Sequence, residues 1–182
     1  MEASGGSRAR IAWVIGAIVV VLIGVVVAGR AWIGEPEACW RSTVESARFG
    51  YCLEAPGWDF TNDQTSQALP YDELVHTDAA TSLRIQAAAV DRALDDVLTE
   101  VRSADQGRAS AVLGDVRDTS VAGVPARQWD VSLERRGVEV RIREVVFVRE
   151  GTAWLVRLIA DPEGFAAGAQ ELERILGSWI FR

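Results

Sequence analysis

The strongest strand pattern in the chain lies in residues 128–160, which read QWDVSLERRGVEVRIREVVFVREGTAWLVRLIA. Apolar and polar residues alternate from 128 to 133 and again from 138 to 143, and the segment 135–137, Arg-Arg-Gly, forms a turn signal between them. This alternation is typical of antiparallel strands that have one solvated face. The stretch therefore predicts strands joined by hairpins.

The second half of the stretch predicts strands that are covered on both faces. Residues 145–148 are apolar without alternation, and residues 153–160 are apolar apart from Arg157. Strands of this kind require cover on both sides of the sheet. We therefore expect helices on either side of this sheet.

Two helices are predicted, one before and one after the hairpins. The first follows Asp91 as its N-cap and ends at Gly107. The second follows Asp161-Pro162, an N-cap and a proline at the first helical position, and ends at Gly177. We expect an α+β domain, an α/β/α sandwich around a twisted, mainly antiparallel sheet. Further strands are predicted at 49–53, 82–90, 111–116 and 179–181, and a loop at 61–78.

The turn signal at Glu150-Gly151 predicts the register of the last hairpin. A two-residue turn there pairs residues whose numbers sum to 301, so Phe147 faces Trp154 and Glu144 faces Arg157. The two charges that interrupt the apolar pattern therefore meet, whereas a slip by one residue would strand both. We expect a candidate internal ion pair between Glu144 and Arg157, and the alternative is that the two orient a ligand.

The N-terminal residues predict an uncleaved membrane anchor. Residues 11–29 carry no charge, and as a helix they span about 28 Å, close to the thickness of a bilayer core. Arg8 and Arg10 precede the run, which places residues 1–10 in the cytoplasm and the domain outside the cell membrane. The alternatives are a buried core helix and a cleaved signal peptide. A linker at 30–38 and an extracytoplasmic domain at 39–182 complete the predicted organisation.

The two cysteines indicate an oxidising compartment, and the acidic charge argues against nucleic acid as a partner. Cys39 and Cys52 are the two cysteines of the chain, and in an oxidising compartment such close neighbours predict a disulfide. Two free buried thiols are the alternative. All 19 basic residues are arginine, and beyond residue 30, 16 arginines stand against 25 acids, a net charge of −9. This acidity argues against nucleic acid as a partner.

Few residues carry a signal for chemistry. His76 stands near Asp72, Glu73 and Asp78, a set that fits either an acid–base or metal site or, as we favour, an exposed loop. The acids of the first helix lie away from its apolar stripe and are interpreted as a solvated face. We find no nucleophile elbow, no glycine-rich phosphate loop and no zinc pattern, so no catalytic residue, metal ligand or cofactor is predicted.

Three aromatic residues are the candidate contact patch. Trp58 and Tyr51, with Trp40, stand near the cysteine pair and near predicted turns. Exposed tryptophan and tyrosine are favoured at protein interfaces. The alternative is that they pack against the disulfide.

Four motifs resemble the PsbP-like group of domains. They are GYCLEAPGW at 50–58, VAGVPA at 121–126, VFVREGTAW at 146–154 and ILGSWIF at 175–181, in the order that the group has. The resemblance implies an α/β/α sandwich. It also implies an accessory or binding role, because the group includes the extrinsic subunit of the oxygen-evolving photosystem, Ran-binding relatives and exported bacterial proteins, and has no shared catalytic residues. The acidic surface and the anchor depart from the photosynthetic members, so no photosynthetic role is carried over.

We therefore expect a non-enzymatic, membrane-tethered accessory domain that binds a protein or cell-envelope partner. The lipid bilayer is a predicted partner of residues 11–29. The alternatives are a carboxylate-dependent envelope hydrolase and a sensor of a small ligand.

Overall fold

The computed structural model describes Cys39 and residues 44–61, 70–77 and 81–182. The predicted tail at 1–10, the predicted transmembrane helix at 11–29 and the predicted linker at 30–38 lie outside these residues. Among the described residues, no helix is long and apolar enough to cross a bilayer.

The described residues form eleven strands and two helices. In chain order these are β1 (Val44–Ser46), β2 (Tyr51–Leu53), β3 (Trp58–Phe60), β4 (Asp72–His76), β5 (Ser82–Ala89), α1 (Leu94–Gln106), β6 (Val112–Leu113), β7 (Arg117–Val121), β8 (Val124–Arg135), β9 (Val138–Arg149), β10 (Thr152–Ala160), α2 (Phe165–Gly177) and β11 (Ile180–Phe181).

The described strands form two antiparallel sheets, as the sequence predicted for the main one. The larger has eight strands in the order β3-β4-β5-β10-β9-β8-β6, and β7 also pairs with β8. The smaller has the order β1-β2-β11, so the last strand of the chain lies beside the second. Because β8, β9 and β10 are joined by short turns, the 128–160 stretch forms the centre of the larger sheet.

The predicted register of the last hairpin is confirmed. Phe147 pairs with Trp154 and Glu144 pairs with Arg157. Glu150 and Gly151 both have positive φ, at 50° and 73°, as the type I′ turn of a two-residue hairpin requires. Arg157, Glu144 and the aromatic pair therefore occupy the faces that the alternation assigned to them.

The helices lie on opposite faces of the larger sheet. Trp129, Val131, Ile142 and Val146 form a cluster with Val97 of α1 on one face. On the other face, the strands contribute Phe147 and Trp154 to a larger cluster that includes residues of α2 and of the smaller sheet, among them Leu172, Tyr51 and Trp179. The α+β prediction is confirmed, and the smaller sheet is an additional layer on the α2 side.

The predicted loop at 61–78 is wrong for its second half. Residues 72–76 form β4, whose residues Asp72 and Leu74 point into the core. The sequence pattern did not indicate this strand because its first inward-facing residue, Asp72, is charged. Inside the fold the Tyr51 hydroxyl donates a hydrogen bond to Asp72 Oδ2 at 2.9 Å. The strand predicted at 111–116 is also shorter, at Val112–Leu113, and polar β7 was not predicted.

The helices begin later than predicted. Ala93, not Asp91, is the N-cap of α1, and no side chain caps that end. The second helix has Gly164 as its N-cap, and Asp161 acts in the turn before it, where its Oδ1 accepts a hydrogen bond from the Gly164 N–H at 2.6 Å. Asp161 therefore satisfies a backbone donor near the helix start, although α2 itself begins at Phe165.

The predicted disulfide joins Cys39 to Cys52, whose Cα atoms are 6.0 Å apart. Cys52 is fully buried in β2, between β1 and β11. The bond therefore attaches the start of the described domain to the middle strand of the smaller sheet.

We expect the paired substitution Cys39→Ala with Cys52→Ala to lower the free energy of unfolding by about 3 kcal/mol, since the bond closes a short loop in the unfolded chain. Urea denaturation with and without reductant measures this. Reductant should destabilise the wild type by a similar amount and leave the double variant unchanged. Equal stability of both proteins under oxidising conditions would contradict the prediction.

Candidate functional site

A row of side chains crosses the larger sheet on its α1 face. Register places Glu73, Arg84, Arg157, Glu144 and Trp129 side by side on the neighbouring strands β4, β5, β10, β9 and β8. Side chains of directly paired residues stand on the same face of a sheet. We call these five residues the cross-sheet row.

Each arginine of the row is bound by a carboxylate on its outer side. Arg84 Nε donates to Glu73 Oε1 at 2.8 Å, and Arg157 Nε donates to Glu144 Oε1 at 2.7 Å. The predicted ion pair of Glu144 and Arg157 is thus present. The two arginines are direct partners in the middle of the row, an arrangement that is unfavourable for like charges.

One end of the row is buried beneath α1. Glu144 and Asp105 of α1 are both fully buried. Trp129 Nε1 donates to Asp105 Oδ2 at 3.0 Å, and an Arg108 terminal nitrogen lies 3.0 Å from Asp105 Oδ1 and 4.0 Å from Glu144 Oε1. The row therefore continues from the sheet into the helix through an indole and a second carboxylate.

Burial raises the pKa of Glu144 above its ordinary value. The charge of Arg157 opposes this rise, whereas the nearby Asp105 carboxylate adds to it. Glu144 Oε2 has no hydrogen-bond partner among the described residues. A protonated Glu144 is therefore favoured inside the fold relative to the unfolded chain.

The other end of the row is open. On this face α1 packs mainly against β6, β8 and β9, so its cover ends beside β10. The side chains of Arg84 and Arg157 are 36% and 18% exposed, and their neighbours on the same face are half-buried. We call the following six residues the open face: Ser82, Arg84 and Gln86 of β5, and Leu155, Arg157 and Ile159 of β10.

The structure corrects the predicted contact patch. Tyr51 is fully buried and Trp58 is 6% exposed, while Trp40 lies outside the described residues. Their polar groups find carboxylates inside the fold: the Tyr51 hydroxyl donates to Asp72, and Trp58 Nε1 donates to Glu171 Oε2 at 3.0 Å. Burial and Asp72 also raise the pKa of Tyr51. Both aromatic residues belong to the core, so they do not form an exposed patch.

His76 contacts an acid of α2, and the acids Asp72 and Glu73 have partners in other strands. Its Nε2 lies 3.5 Å from Glu171 Oε2 of α2. Asp72 instead accepts from Tyr51, Glu73 binds Arg84, and Asp78 lies outside the described residues. The segments of the chain that are described contain no group of three residues able to hold a metal ion.

A shallow cavity of about 360 Å³ lies at the far end of the β8–β9 hairpin. Val112, which is 69% exposed, lines it together with Glu134 and Glu139, which face each other across the two strands. Val112 pairs with Ser132, so this cavity opens on the α2 side of the sheet, opposite the open face. The sequence patterns do not predict a site at these residues.

The sequence predicts the contact of Glu144 with Arg157, and it does not predict that Arg84 and Asp105 lie beside this pair. Arg84 and Asp105 are separated from Glu144 by long stretches of chain, and a helix propensity gives no information about what a helix covers. The signal that was available is Arg84 itself, a charge within the strand predicted at 82–90. The acids Asp95 and Asp96 of α1 are exposed, as the solvated-face interpretation expects.

No protein-family model and no curated protein matches the sequence. Several solved structures share the fold. The chain is similar to cyanobacterial PsbP of Synechocystis, with 15% identity, 76% of this chain and 91% of that chain covered and a TM-score of 0.54. It is also similar to LpqN of Mycobacterium tuberculosis, with 19% identity, 71% and 81% covered and a TM-score of 0.53.

The Ran-binding protein Mog1p of Saccharomyces cerevisiae is a third structure of this kind. It has 12% identity, 76% of this chain and 93% of that chain are covered, and the TM-score is 0.51. The described domain has a PsbP-like fold, which confirms the resemblance of the four sequence motifs. At these identities the likeness concerns the fold alone.

We expect Glu144→Gln to change how stability depends on pH. The folded pKa of Glu144 is raised, so the unfolded chain releases its proton first, and wild-type stability falls as pH rises from the ordinary carboxyl range through the raised value. Glutamine cannot ionise, so the free energy of unfolding of the variant should not fall in this way. The variant should therefore become more stable relative to the wild type as pH rises over this window. Urea denaturation between about pH 4 and 8 measures the difference.

Val138→Gln, an exposed substitution of a residue that does not titrate on the same strand, is the control and should not alter the pH dependence. A constant difference between wild type and Glu144→Gln across the window would contradict a raised pKa.

Proposed function

We propose that this chain is a non-enzymatic accessory domain, tethered to the outer side of the cell membrane by residues 11–29, that binds a protein partner through the open face. One observation supports this most directly. β10 is apolar on both faces, yet α1 covers little of the face that carries Leu155 and Ile159, which are half-buried.

Partner binding follows from the energetics of this face. Burying apolar surface contributes roughly 25 cal/mol per Å². A partner that covers the exposed parts of Leu155 and Ile159 therefore stabilises the complex relative to the separate proteins. The arginines between them add polar contacts that favour one partner over another. An apolar centre beside charged groups is the usual composition of a protein interface.

The tether is supported by the sequence. The uncharged run at 11–29 has the length of a membrane span, and the arginines before it favour an outward domain. A Cys39–Cys52 bond suits an oxidising compartment. Confinement to the membrane surface raises the effective concentration of the domain near a partner in the same layer.

Two proteins of the same fold lend support to a binding role. Mog1p is described as Ran-binding, and LpqN as involved in cell envelope biogenesis. The open face would serve a comparable role in this chain with a different partner.

The alternatives have less geometric support. A hydrolase is not supported at the open face: Asp105 and Glu144 are fully buried, Asp72 is bound to Tyr51, and the facing Glu134 and Glu139 lie on the opposite side of the sheet.

We expect a photo-crosslinking amino acid at position 155 of the full-length protein, in its own membrane, to form one discrete adduct. The same amino acid at position 112, an exposed apolar site on the opposite side of the sheet, is the matched control and should form none. Co-expressed untagged wild-type protein should compete the adduct away, because the partner surface is saturable.

Co-expressed Leu155→Gln should compete roughly five- to tenfold less well, while Val112→Gln should compete like the wild type. Adducts at position 112 instead of 155, or none at 155, would overturn the proposal. So would hydrolysis of an envelope polymer by the purified protein that Leu155→Gln abolishes.

A further inference from the structure

We propose that the open face binds a carboxylate group between Arg84 and Arg157, with the apolar body that carries it resting on Leu155 and Ile159. The inference rests on the proposed function, since it names the chemical group that the protein partner presents at this face.

Both guanidinium groups have donors to spare. A guanidinium has five N–H donors, and the hydrogen bonds to Glu73 and Glu144 use the Nε of each arginine. No further hydrogen bond of Arg84 or Arg157 is formed within the described part of the chain. The terminal nitrogens of two adjacent arginines are thus available to one acceptor.

Arg143 provides a contrast within the same sheet. Its Nε and one terminal nitrogen both donate to Asp130, at 2.8 and 3.2 Å, and its other terminal nitrogen lies 3.7 Å from Glu173. Carboxylates of the protein itself therefore occupy all three nitrogens of Arg143. Arg84 and Arg157 differ because each has a single carboxylate partner.

The two arginines are held in place before a ligand arrives. Glu73 binds Arg84 from one side, and the ring of Tyr71 lies with its centroid 4.9 Å from the Arg84 Cζ atom. Glu144, fixed in the core, holds Arg157. Because these side chains are already ordered, binding costs less conformational entropy than it would for free arginines.

Charge favours an anion between them. Arg84 and Arg157 are direct partners on β5 and β10, and their carboxylates lie on the outer sides of the row. Like charges that face each other across two strands are unfavourable, and an anion between them removes this repulsion. The planar fork of a guanidinium matches a carboxylate particularly well.

The residues that flank the two arginines indicate what kind of group carries the carboxylate. Ser82 and Gln86 flank Arg84 on β5, whereas Ile159 and Leu155 flank Arg157 on β10. The face is therefore polar along one strand and apolar along the other, on either side of the arginine pair. A carboxylate attached to an apolar body fits this division better than a bare anion does.

Phenylacetate tests the inference with the purified full-length protein in detergent micelles. Benzyl alcohol has the apolar body without the charge, and inorganic phosphate has charge in a tetrahedral group. Titrations followed by the NMR signals of the arginine Nε–H groups should show saturable shifts at Arg84 and Arg157 with phenylacetate. Benzyl alcohol should produce none, and phosphate should bind more weakly than phenylacetate.

Arg84→Gln should weaken phenylacetate binding roughly tenfold, because a charged hydrogen-bonding partner is lost. Arg84→Lys keeps the charge but not the fork and should weaken it by a smaller factor. Arg117→Gln removes an arginine from the opposite side of the sheet and is the matched control, with wild-type binding expected. Arg157→Gln is avoided because it would leave Glu144 unpaired in the core.

Unchanged phenylacetate affinity in Arg84→Gln would overturn the inference, as would binding of phosphate without binding of phenylacetate. The crosslink from position 155 separates this failure from failure of the proposed function. Suppose that phenylacetate does not bind the wild type, while the Arg84→Gln protein still forms the competed adduct from position 155. The proposed partner surface is then supported, and the inferred carboxylate site is contradicted.

Discussion

The contact between Glu144 and Arg157 constrains the whole sheet. It requires that β9 and β10 pair in one register, and that register directs Phe147 and Trp154 to the opposite face, where they stack with ring centroids 5.7 Å apart. A shift by one residue would place Glu144 and Arg157 on opposite faces of the sheet and would separate Phe147 from Trp154 in the same way. Breaking the ion pair would leave a charge uncompensated in the core, which costs far more than the pair contributes.

This constraint gives the two faces of the sheet different chemistry. The α2 face holds an aromatic core that includes Tyr51 and Trp179, and it also carries the ion pair of Arg143 with Asp130. The α1 face holds the cross-sheet row, which begins in a buried carboxylate pair and ends in two half-exposed arginines. The α1 face therefore contains a fully buried carboxylate, Glu144, and two partly exposed arginines, and the hydrogen bond from Arg157 links the two parts.

Local patterns predicted much of the fold, whereas the site depended on contacts that are distant in sequence. The hairpin register, the disulfide and the second helix follow from short motifs, because turn geometry and periodicity act over a few residues. The partners of Glu171 and Asp105 come from other elements, and no spacing rule relates them. Tyr51 and Trp58 were misplaced for the same reason: the strands and the helix that cover them are far away in the chain.

The bond between Cys39 and Cys52 has a mechanical consequence. Tension that enters along the chain before Cys39 passes through sulfur directly to β2, without loading β1. Cys52 is paired with Ile180, so the force on β2 is also transmitted to β11, the last strand of the chain. A force applied to the chain before Cys39 therefore acts first on the smaller sheet, and not on the larger sheet that carries Arg84 and Arg157.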